Sequence, residues 1–585
     1  MTARTTTAQH DRPAFEVRVA GTAVTPQIAA DVVEIDVHEE VCRHGRLTLL
    51  LQNWDADTRT VRHSDTAPFT PGAAIAVSMG YHDQLRDVFD GVVVSLTTHF
   101  PRDGRPVLRV EGRSRSILLD HPARSRQLEK VNDAGVAAAV AADYSLTTDA
   151  ADGVTRPFVV SDRISDWAML TRRAAELGWV TYVRGTTLVL RPPARKNAPV
   201  ALEYTTSLVE LHLTQDISAS VDSVVGVAWD IDTLSAATSQ QGSGAAGIDV
   251  GDRADHARAV RAAGWPLRDA RLESPAVQAT AEADARAAGA QRRAALAHYT
   301  GTGVVEGDPG LRCDAWVTIA GVGSRMSGPH YVTATRHRLS GRGYVTEFQV
   351  GTPPSLRPPP EKSAAPQGSS GQGSGLLLGV VEALDDPESL NRVRVRLPWR
   401  QDSGNGVWAR QSCLDAGDGY GAVFVPTPGQ EVVVGFVDGD PAMPVVLGSL
   451  FNGTQKPPLV VDAKTDAVRT LVSPQGHAIR MEDGDAAAVT VGTGKGNALV
   501  LDDAGSQITV THKDSGNAIT LSSKGIELTA AMGDIVLTCS GGTVKIDSAT
   551  LKATTTGAVA IDSSAGADLR ASGSLGLKGS LVTIN

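Results

Sequence analysis

The chain has 585 residues and a mass of 61.0 kDa, enough for roughly three or four domains. It carries 55 Lys and Arg against 65 Asp and Glu, a net charge of −10, with 59 Gly and only 4% aromatic residues. The acidic balance argues against a generic nucleic-acid binder. Four scattered cysteines argue against a disulfide scaffold, and no apolar run approaches the roughly 18 residues of a membrane-spanning helix.

The first 13 residues are polar and lack the apolar core of a secretory signal. We expect a flexible N-terminus over 1–13 and synthesis in the cytoplasm. The cysteines form neither a CxxC motif nor a zinc-spaced cluster with histidines, so we expect reduced thiols, some of them buried. No metal or cofactor is predicted. The cysteines are Cys42, Cys313, Cys413 and Cys539.

Residues 14–352 mix strand and helix patterns and predict an α+β region. The segment Ser165–Leu177 reads as an amphipathic helix, with Gly178 at its end. Its N-cap could be Ser161, Asp162 or Ser165. The other predicted elements are strands Ile75–Met79 and Val88–Thr97, a hairpin of Trp179–Arg184 and Thr187–Leu190 around Gly185, an Ala-rich helix near Pro275–Leu296, and a mobile loop at Ser235–Gly251.

Three further segments follow this region. Residues 353–375 are rich first in Pro and then in Gly and Ser, which is typical of a linker. Residues 376–455 are dense in Val and turn residues and predict a small β-domain. Residues 456–475 then form a connector to the last block.

The last block, residues 476–585, contains no Phe, Trp or Tyr and carries an internal repeat. Gly476, Gly496 and Gly516 open similar tetrapeptides at a period of 20. Apolar residues recur as i, i+2 pairs, which places each pair on one face of a strand. The pairs are Ile479/Met481, Val489/Val491, Leu499/Leu501, Ile508/Val510, Ile519/Leu521, Ile526/Leu528, Ile535/Leu537, Val544/Ile546, Val559/Ile561 and Leu575/Leu577.

Two inward side chains per strand give a narrow aliphatic stripe with open strand edges. A single-chain parallel β-helix or an intertwined homotrimer would close those edges, and the sparse stripe favours the trimer. A disordered Gly/Ser-rich tail is the alternative, but regular aliphatic pairing is not typical of disorder.

No catalytic constellation emerges from the motifs. The GxGxxG at Gly242–Gly247 lies in a low-complexity stretch, and His337 fits an outward-facing or hydrogen-bonded histidine better than a catalytic base. Asp385/Asp386 and Asp502/Asp503 read as solvated turns. His477 and His512 could hold an ion on a three-fold axis only if both pointed inward, which we do not expect.

The stretches 379–399 and 424–453 resemble the OB-fold domain of VgrG spike proteins and phage baseplate spikes. In that family a Pro-x-x-Gly-x-Glu-Val stretch precedes Gly-Asp-Pro, Pro-x-Val-x-Gly and Asn-Gly. The matching positions here are Pro426, Gly429, Glu431, Val432, Gly439, Asp440, Pro441, Pro444, Val446, Gly448, Asn452 and Gly453.

The N-terminal region is similar to the tail-hub half of the same family, phage late-control protein D. Its helix-plus-hairpin signature falls on residues 165–193, which include Trp167 and Gly178, and its closing β-barrel stretch on 303–351. Cys313 and Asp314 depart from the Pro-Gly expected there, which questions the local turn.

The resemblance implies a mainly β protein with an α+β N-terminal hub of two β-barrels (14–352), an OB-fold barrel (376–455) and an intertwined trimeric β-helix needle (476–585). It implies a homotrimeric structural spike of a contractile injection system, without catalysis, at the tip of a phage tail-like particle that is retained or released extracellularly. Implied partners are a hexameric inner tube protein and baseplate proteins at the hub, and the target membrane on firing.

The chain stops in a strand pattern at its C-terminal end, so we expect a separate PAAR-type protein to cap the tip. Two other classes stay open at this point, namely an envelope-degrading β-helical enzyme and a trimeric receptor-binding fibre. A needle without aromatic residues disfavours the enzyme, and the hub signature disfavours the fibre. The sequence specifies neither the target cell nor the cargo, and it does not separate a type VI from an extracellular or phage-derived system.

Overall fold

The structure is a computed structural model of the single chain. It describes residues 12–65, 67–120, 124–193, 199–217, 221, 223–230, 234–242, 262–264, 269–274, 276–277, 279–352, 375–397, 406–460 and 467–584. The proposed N-terminal segment 1–13 and linker 353–375 therefore lie almost entirely outside the described residues. Strand residues make up 46% and helix residues 12%. Two compact units, Met1–Lys456 and Pro457–Asn585, are described separately.

The first part of the N-terminal region is almost all strand. Alternating aliphatic residues turn one face of each strand inward, and the predicted strands Ile75–Met79 and Val88–Thr97 are confirmed. The elements are β1 Pro13–Val19, β2 Thr22–Ala23, α1 Pro26–Ala30, β3 Val32–Glu40, β4 Arg46–Gln52, β5 Trp54–Asp55, β6 Thr60–Val61, β7 Ala74–Tyr81, β8 Gln84–His99 and β9 Val107–Ser114.

A helical layer follows, and its predicted helix and hairpin are confirmed. Among the three N-cap candidates, the structure selects Ser165, whose Oγ accepts a hydrogen bond from the Ala168 N–H at 3.1 Å. The elements are a 3-10 helix Arg115–Asp120, β10 Arg124–Val131, α2 Asp133–Asp143, β11 Thr147–Ala150, β12 Arg156–Ile164, α3 Asp166–Leu177, β13 Val180–Arg184 and β14 Thr187–Arg191.

The region returns to strands after this layer, with one long Ala-rich helix close to its predicted position. The elements are β15 Val200–Glu203, β16 Leu208–Gln215, β17 Ser223–Asp230, β18 Ser235–Gly242, β19 Asp269–Glu273, α4 Thr280–Ala297, β20 Tyr299–Glu306, β21 Ala315–Ala320, β22 Gly328–Ser340 and β23 Gly343–Val350.

The prediction of a mobile loop over Ser235–Gly251 is wrong for its first half. Residues Ser235–Gly242 form β18, which pairs antiparallel with the apolar strand β17 over its whole length. A neighbouring strand with free backbone groups thus overrides a loop-like composition. Residues 243–251, and with them most of the GxGxxG stretch, lie outside the described residues.

Thirteen of these strands form one continuous sheet in which β3 pairs with β22 and so joins two halves of the region. Each half encloses its own buried core. The first core includes Ile35, Leu47, Leu49, Val77 and Val110. The second core includes Leu202, Val305, Val317, Val332 and Phe348.

Five strands between Leu377 and Ser449 form a closed barrel, the topology expected of an OB fold. Its core is almost purely Val, which fits β-branched packing in a small barrel. The elements are β24 Leu377–Ala383, β25 Val393–Arg396, β26 Val407–Gln411, β27 Ala416–Gly417, β28 Tyr420–Gly421, β29 Glu431–Phe436, a 3-10 helix Val437–Gly439 and β30 Pro444–Ser449.

The second unit opens with a seven-stranded antiparallel sheet, here called the C-terminal meander. Its strands are β31 Val468–Val472, β32 Ala478–Glu482, β33 Ala488–Gly492, β34 Ala498–Asp502, β35 Gln507–Thr511, β36 Ala518–Ser522 and β37 Gly525–Thr529, paired in chain order. Residues 530–584 of the single chain contain no strand or helix, although the aliphatic pairs continue through them. Across the described part of the molecule, none of the helices has the length and apolarity needed to cross a membrane.

Candidate functional site

Four predicted motif residues meet where the chain leaves the OB barrel. Gly429, Glu431, Asn452 and Gly453 line a cleft of about 360 Å³, together with Leu378–Val380, Thr454 and Gln455. We call this feature the exit cleft. Motif residues 21 to 24 positions apart in the sequence come together here because β29 begins at Glu431 and the chain returns past it after β30.

Hydrogen bonds fix the departing segment to the barrel at the exit cleft. The Asn452 side-chain amide donates to Glu431 Oε2 at 2.9 Å, and its Oδ1 accepts from the backbone N–H of Thr454 and Gln455. The Gln455 side chain donates to the Gly429 carbonyl at 2.9 Å. The Asn-Gly motif is therefore a turn that ties residues 452–455 to the start of β29.

The Gly-Asp-Pro motif lies elsewhere, in the turn between β29 and β30. Asp438 and Gly439 both have positive φ, 52° and 70°, so the turn is tight. Ser274, which follows β19, donates a hydrogen bond from Oγ to Asp438 Oδ2 at 2.8 Å. This turn is thus a contact between the OB barrel and the N-terminal region.

The electrostatics of Asp440 support this contact. Burial raises the pKa of the Asp440 carboxyl, and the Ala442 N–H and the charge of Arg172 on α3 oppose this without cancelling it. A second hydrogen bond joins the same two domains, from Gln127 Nε2 to the Gly406 carbonyl at 2.8 Å. The OB barrel is therefore held against the N-terminal region at two separate places.

The remaining motif residues support packing and are not brought to either place. Pro426 is buried before the exit cleft, and Gly448 pairs with Val433 between β29 and β30. Trp167 is buried in the core of the helical layer, with its ring 4.6 Å from that of His44. Gly178 has φ of 59°, and a Cβ there would lie 2.4 Å from the Gly289 carbonyl oxygen of α4.

The departure at Asp314 has a structural explanation. Asp314 has φ of 57°, a conformation that favours the Gly expected from the resemblance. Its buried carboxylate accepts hydrogen bonds from Tyr182 Oη at 3.0 Å and Tyr331 Oη at 2.6 Å, and Arg191 lies 2.9 Å away. The side chain therefore compensates for the backbone with a buried hydrogen-bond network.

A further candidate surface is one face of the C-terminal meander. The register sets the aliphatic pairs directly opposite one another across neighbouring strands, for example Val489 opposite Leu501 and Ile508 opposite Leu521. We call this surface the aliphatic face. It consists of Leu471, Ile479, Met481, Val489, Val491, Leu499, Leu501, Ile508, Val510, Ile519, Leu521, Ile526 and Leu528.

These side chains are exposed in the single chain, with exposed fractions of 44% for Ile479, 37% for Leu499 and 41% for Ile519. The opposite face carries small and polar residues such as Ala498, Thr509 and Thr520. A contiguous apolar surface of this size on one side of a sheet is typical of an interface.

The repeat glycines mark the turns along one edge of the meander. Gly476, Gly496 and Gly516 have φ of 80°, 91° and 69°, which explains why glycine recurs there. Sequence reasoning identified this period and these residues. It missed Ser274 and Gln455, which touch the motifs but stand outside them and carry no spacing signal of their own.

The residues weighed for chemistry have structural roles. His337 is buried, and its Nδ1 is hydrogen-bonded to Tyr344 Oη at 2.9 Å and Thr346 Oγ1 at 3.1 Å, while burial lowers its pKa to about 4. Of the two alternatives predicted for His337, the hydrogen-bonded histidine is confirmed and the outward-facing one is wrong. Asp386 caps its turn through the backbone N–H groups of Glu388, Leu390 and Arg392.

The cysteines and the acidic groups were the remaining candidates for chemistry. All four cysteines are free, and burial raises the pKa of Cys42 and Cys313 to about 12. Among the described residues, no group of three or more His, Cys, Asp or Glu is placed to hold a metal ion.

Comparison with family models identifies the architecture. Residues 9–341, more than half of the chain, match the model described as the Alg8 N-terminal domain. The chain belongs to the Alg8 N-terminal domain family. This Alg8-family chain also matches the type VI secretion system/phage-baseplate injector OB domain over 377–451 and the phage baseplate V C-terminal trimerisation domain over 488–552. Together the two matches support the resemblance to VgrG-type spike proteins.

Curated relatives match the Alg8-family chain over short segments. The type VI secretion system spike protein VgrG1c of Pseudomonas aeruginosa is 35% identical over 107 residues, covering 16% of this chain and 15% of that protein. The actin cross-linking toxin VgrG1 of Vibrio cholerae is 36% identical over 91 residues, covering 15% and 8%. The Alg8-family chain thus covers less than a fifth of the length of these relatives.

A solved structure supports the fold over most of the length. The half-lidded Francisella PdpA-VgrG complex superposes with a TM-score of 0.51 at 8% identity, and the alignment covers 89% of this chain and 88% of that one. At this identity the similarity establishes a shared fold.

Proposed function

We propose that the chain is a homotrimeric structural spike of a contractile injection system, in which the C-terminal block forms a β-helical needle. The observation that carries the proposal is the aliphatic face, which runs across all seven strands of the meander and is exposed in a single chain. Its overlap with a trimerisation domain over 488–552 supports three copies of this chain as the cover.

Three such faces packed around one axis would form a thin core. Each strand contributes two side chains, and aliphatic residues fill a narrow space that an aromatic ring would overfill. Burial of one Val or Leu side chain stabilises by roughly 1.5–3 kcal/mol, so a stripe repeated in three chains supplies a large cohesive term.

The segment 530–584 fits the same assembly. Its aliphatic pairs keep the strand period, yet its backbone has no ladder within the single chain. Strand partners from the two other copies would satisfy those backbone groups and leave no open edges. An intertwined shaft of this kind resists axial load because every strand is held on both sides.

The N-terminal region supplies the attachment in this proposal. Two cores per chain give six comparable units in a trimer, which suits docking of residues 14–352 onto a hexameric inner tube and its baseplate. A PAAR-type protein would cap the tip, and the target membrane would be met on firing. The chain itself carries no catalysis and binds no nucleic acid, and it works at the tip of a phage tail-like particle.

The decisive experiment measures native mass for two matched variants of the full chain. Val510 lies on the aliphatic face and Thr509, its neighbour, on the polar face. We expect wild type and Thr509→Asp to give about three times the 61.0 kDa chain mass, and Val510→Asp to give monomer, because a carboxylate cannot be buried unpaired in the shared core. A wild-type monomer at every concentration would refute the proposal.

The tip and the attachment have their own test. Electron microscopy of intact particles should show the N-terminal region at the end of the tube and additional density beyond residue 585. Density that ends at residue 585 would contradict the proposed capping protein. A spike located away from the tube would contradict the proposed docking of the N-terminal region.

A further inference from the structure

One edge of the C-terminal meander carries a repeated side-chain contact. The residue after each repeat glycine is His477, Asn497 or Asn517, and each has a hydrogen-bond acceptor in its side chain. These three residues stand at the sequence period of 20, so any contact they share recurs once in every repeat.

Each acceptor receives a backbone N–H from the next turn along the same edge. Asn497 Oδ1 accepts from the Lys513 N–H at 2.9 Å, and Asn517 Oδ1 accepts from the Met532 N–H at 3.1 Å. His477 Nδ1 accepts from the Gly494 N–H at 3.4 Å, the longest of the three. We call these three hydrogen bonds the turn ladder.

The acceptor side chains are held by their own turns. The backbone N–H of Asn497 donates to Thr493 Oγ1 at 3.1 Å, and its carbonyl accepts from the Thr493 N–H at 2.8 Å. The same pair of bonds ties His477 to Ser473. Because the backbone N–H and carbonyl of the residue are both hydrogen-bonded, its side chain is oriented towards the next turn.

The opposite edge achieves the same link without side chains. There the Asp483 N–H donates to the Ala467 carbonyl at 2.8 Å, and the Asp503 N–H donates to the Ala487 carbonyl at 3.0 Å. Backbone carbonyls at the same period of 20 thus join successive turns on that edge. The turn ladder joins successive turns on its own edge through side-chain acceptors instead.

We propose that His477, Asn497 and Asn517 are positioning residues that set the spacing between successive 20-residue repeats. The last of them, through Met532, also sets the start of the segment beyond β37. The inference deepens the proposed function, since a needle needs constant rise per repeat, but the hydrogen bonds lie within one chain and do not depend on the number of copies.

The test is hydrogen exchange of the full chain, resolved to single backbone amides. In Asn497→Ala we expect the Lys513 amide to exchange about fivefold faster, because it loses one hydrogen bond in a folded frame. Asn497→Asp keeps the acceptor oxygen and should protect Lys513 nearly as well as wild type. Gln507→Ala removes an exposed amide side chain from the other edge and should leave Lys513 unchanged.

A second variant tests the ladder by gain. In His477→Asn the first rung acquires the same acceptor as the other two, so the Gly494 amide should exchange more slowly. The proposal would be overturned if the Lys513 amide exchanged at the wild-type rate in Asn497→Ala and the Gly494 amide did so in His477→Asn. It would also be overturned if the Lys513 amide exchanged equally fast in Asn497→Ala and Asn497→Asp. Native mass distinguishes the turn ladder from the spike proposal. The ladder variants should remain trimers even where amide exchange changes. If the spike proposal fails, the wild-type chain itself will not have the mass of a trimer.

Discussion

The N-terminal region and the C-terminal meander use one sequence pattern with opposite outcomes. In β4, Leu47, Leu49 and Leu51 alternate with residues of the opposite face and are fully buried in the first core. In β34, Leu499 and Leu501 alternate in the same way but have exposed fractions of 37% and 40%. The pattern therefore fixes which face of a strand is apolar, and a different part of the structure decides what covers that face.

The strongest way to break this comparison is to place the same charge in both regions. Leu49→Asp puts a carboxylate into a closed core, so we expect the N-terminal region to fail to fold at any protein concentration. Leu499→Asp should leave that region folded and remove only the trimer. Soluble expression, tryptophan fluorescence and native mass distinguish these outcomes, since every Trp lies before residue 476. A folded Leu49→Asp chain would show that the two faces are not covered differently.

A buried ion cluster distinguishes the two regions further. In the helical layer, Arg173 Nε donates to Asp133 at 2.7 Å and its Nη2 donates to Glu282 at 3.0 Å, linking α2, α3 and α4. Arg173→Leu removes the cation that Asp133 and Glu282 share and leaves each carboxylate with one arginine, Arg156 or Arg286. It should destabilise the region by about 3–5 kcal/mol in denaturant titrations followed by tryptophan fluorescence. Arg172→Leu, on the same helix with its side chain more exposed, is the control and should cost far less.

The same cluster predicts a response to acid. Burial works against ionisation of Glu282, but Arg173 outweighs it and lowers the pKa of the carboxyl to about 2, from an ordinary value of 4.5. A lowered pKa gives stability that is present above pH 4.5 and is lost as the pH falls from 4.5 towards 2. Unfolding of the N-terminal region should follow this window, and in Arg173→Leu the loss in this window should shrink. The aliphatic face should hold together through it.

Local signals allowed much of the fold to be predicted. The helix α3 is predictable because Ser165 and Gly178 act within one turn of its ends, and the hairpin after it because Gly185 takes positive φ. The repeat glycines were identified by their period of 20 residues. The OB residues were identified by their spacing, but their division between the exit cleft and the Gly-Asp-Pro turn depends on tertiary contacts that no spacing records.

Elements that need a partner were harder to predict. The segment Ser235–Gly242 looks like a loop by composition, and only the presence of β17 beside it makes it a strand. Residues 530–584 show the converse, since their pattern predicts strands for which the single chain supplies no partner. In both cases the pairing strand decides the outcome, because a β-strand is satisfied only by its neighbour.

The smallest effect sharpens the comparison at the level of single glycines. Gly178 and Gly185 have nearly the same φ, 59° and 58°, but a Cβ at Gly178 would lie 2.4 Å from the Gly289 carbonyl oxygen, whereas nothing lies within 4 Å at Gly185. Gly185→Ala should cost about 1–2 kcal/mol, the penalty for a left-handed residue. Gly178→Ala should carry the same penalty and lose about 1–3 kcal/mol of stability in addition, because α3 and α4 must move apart.

Thermal unfolding followed by tryptophan fluorescence measures both values in the full chain. Equal losses would mean that the packing of α4 on α3 yields to a methyl group, so that only backbone conformation selects glycine there. Gly484 in the meander, with φ of 86° and nothing within 4 Å of a Cβ, extends the series to the other region. Gly484→Ala should lose about as much stability as Gly185→Ala. At an uncovered turn only the positive φ requires glycine, whereas at the covered end of α3 the lack of room for a Cβ requires it as well.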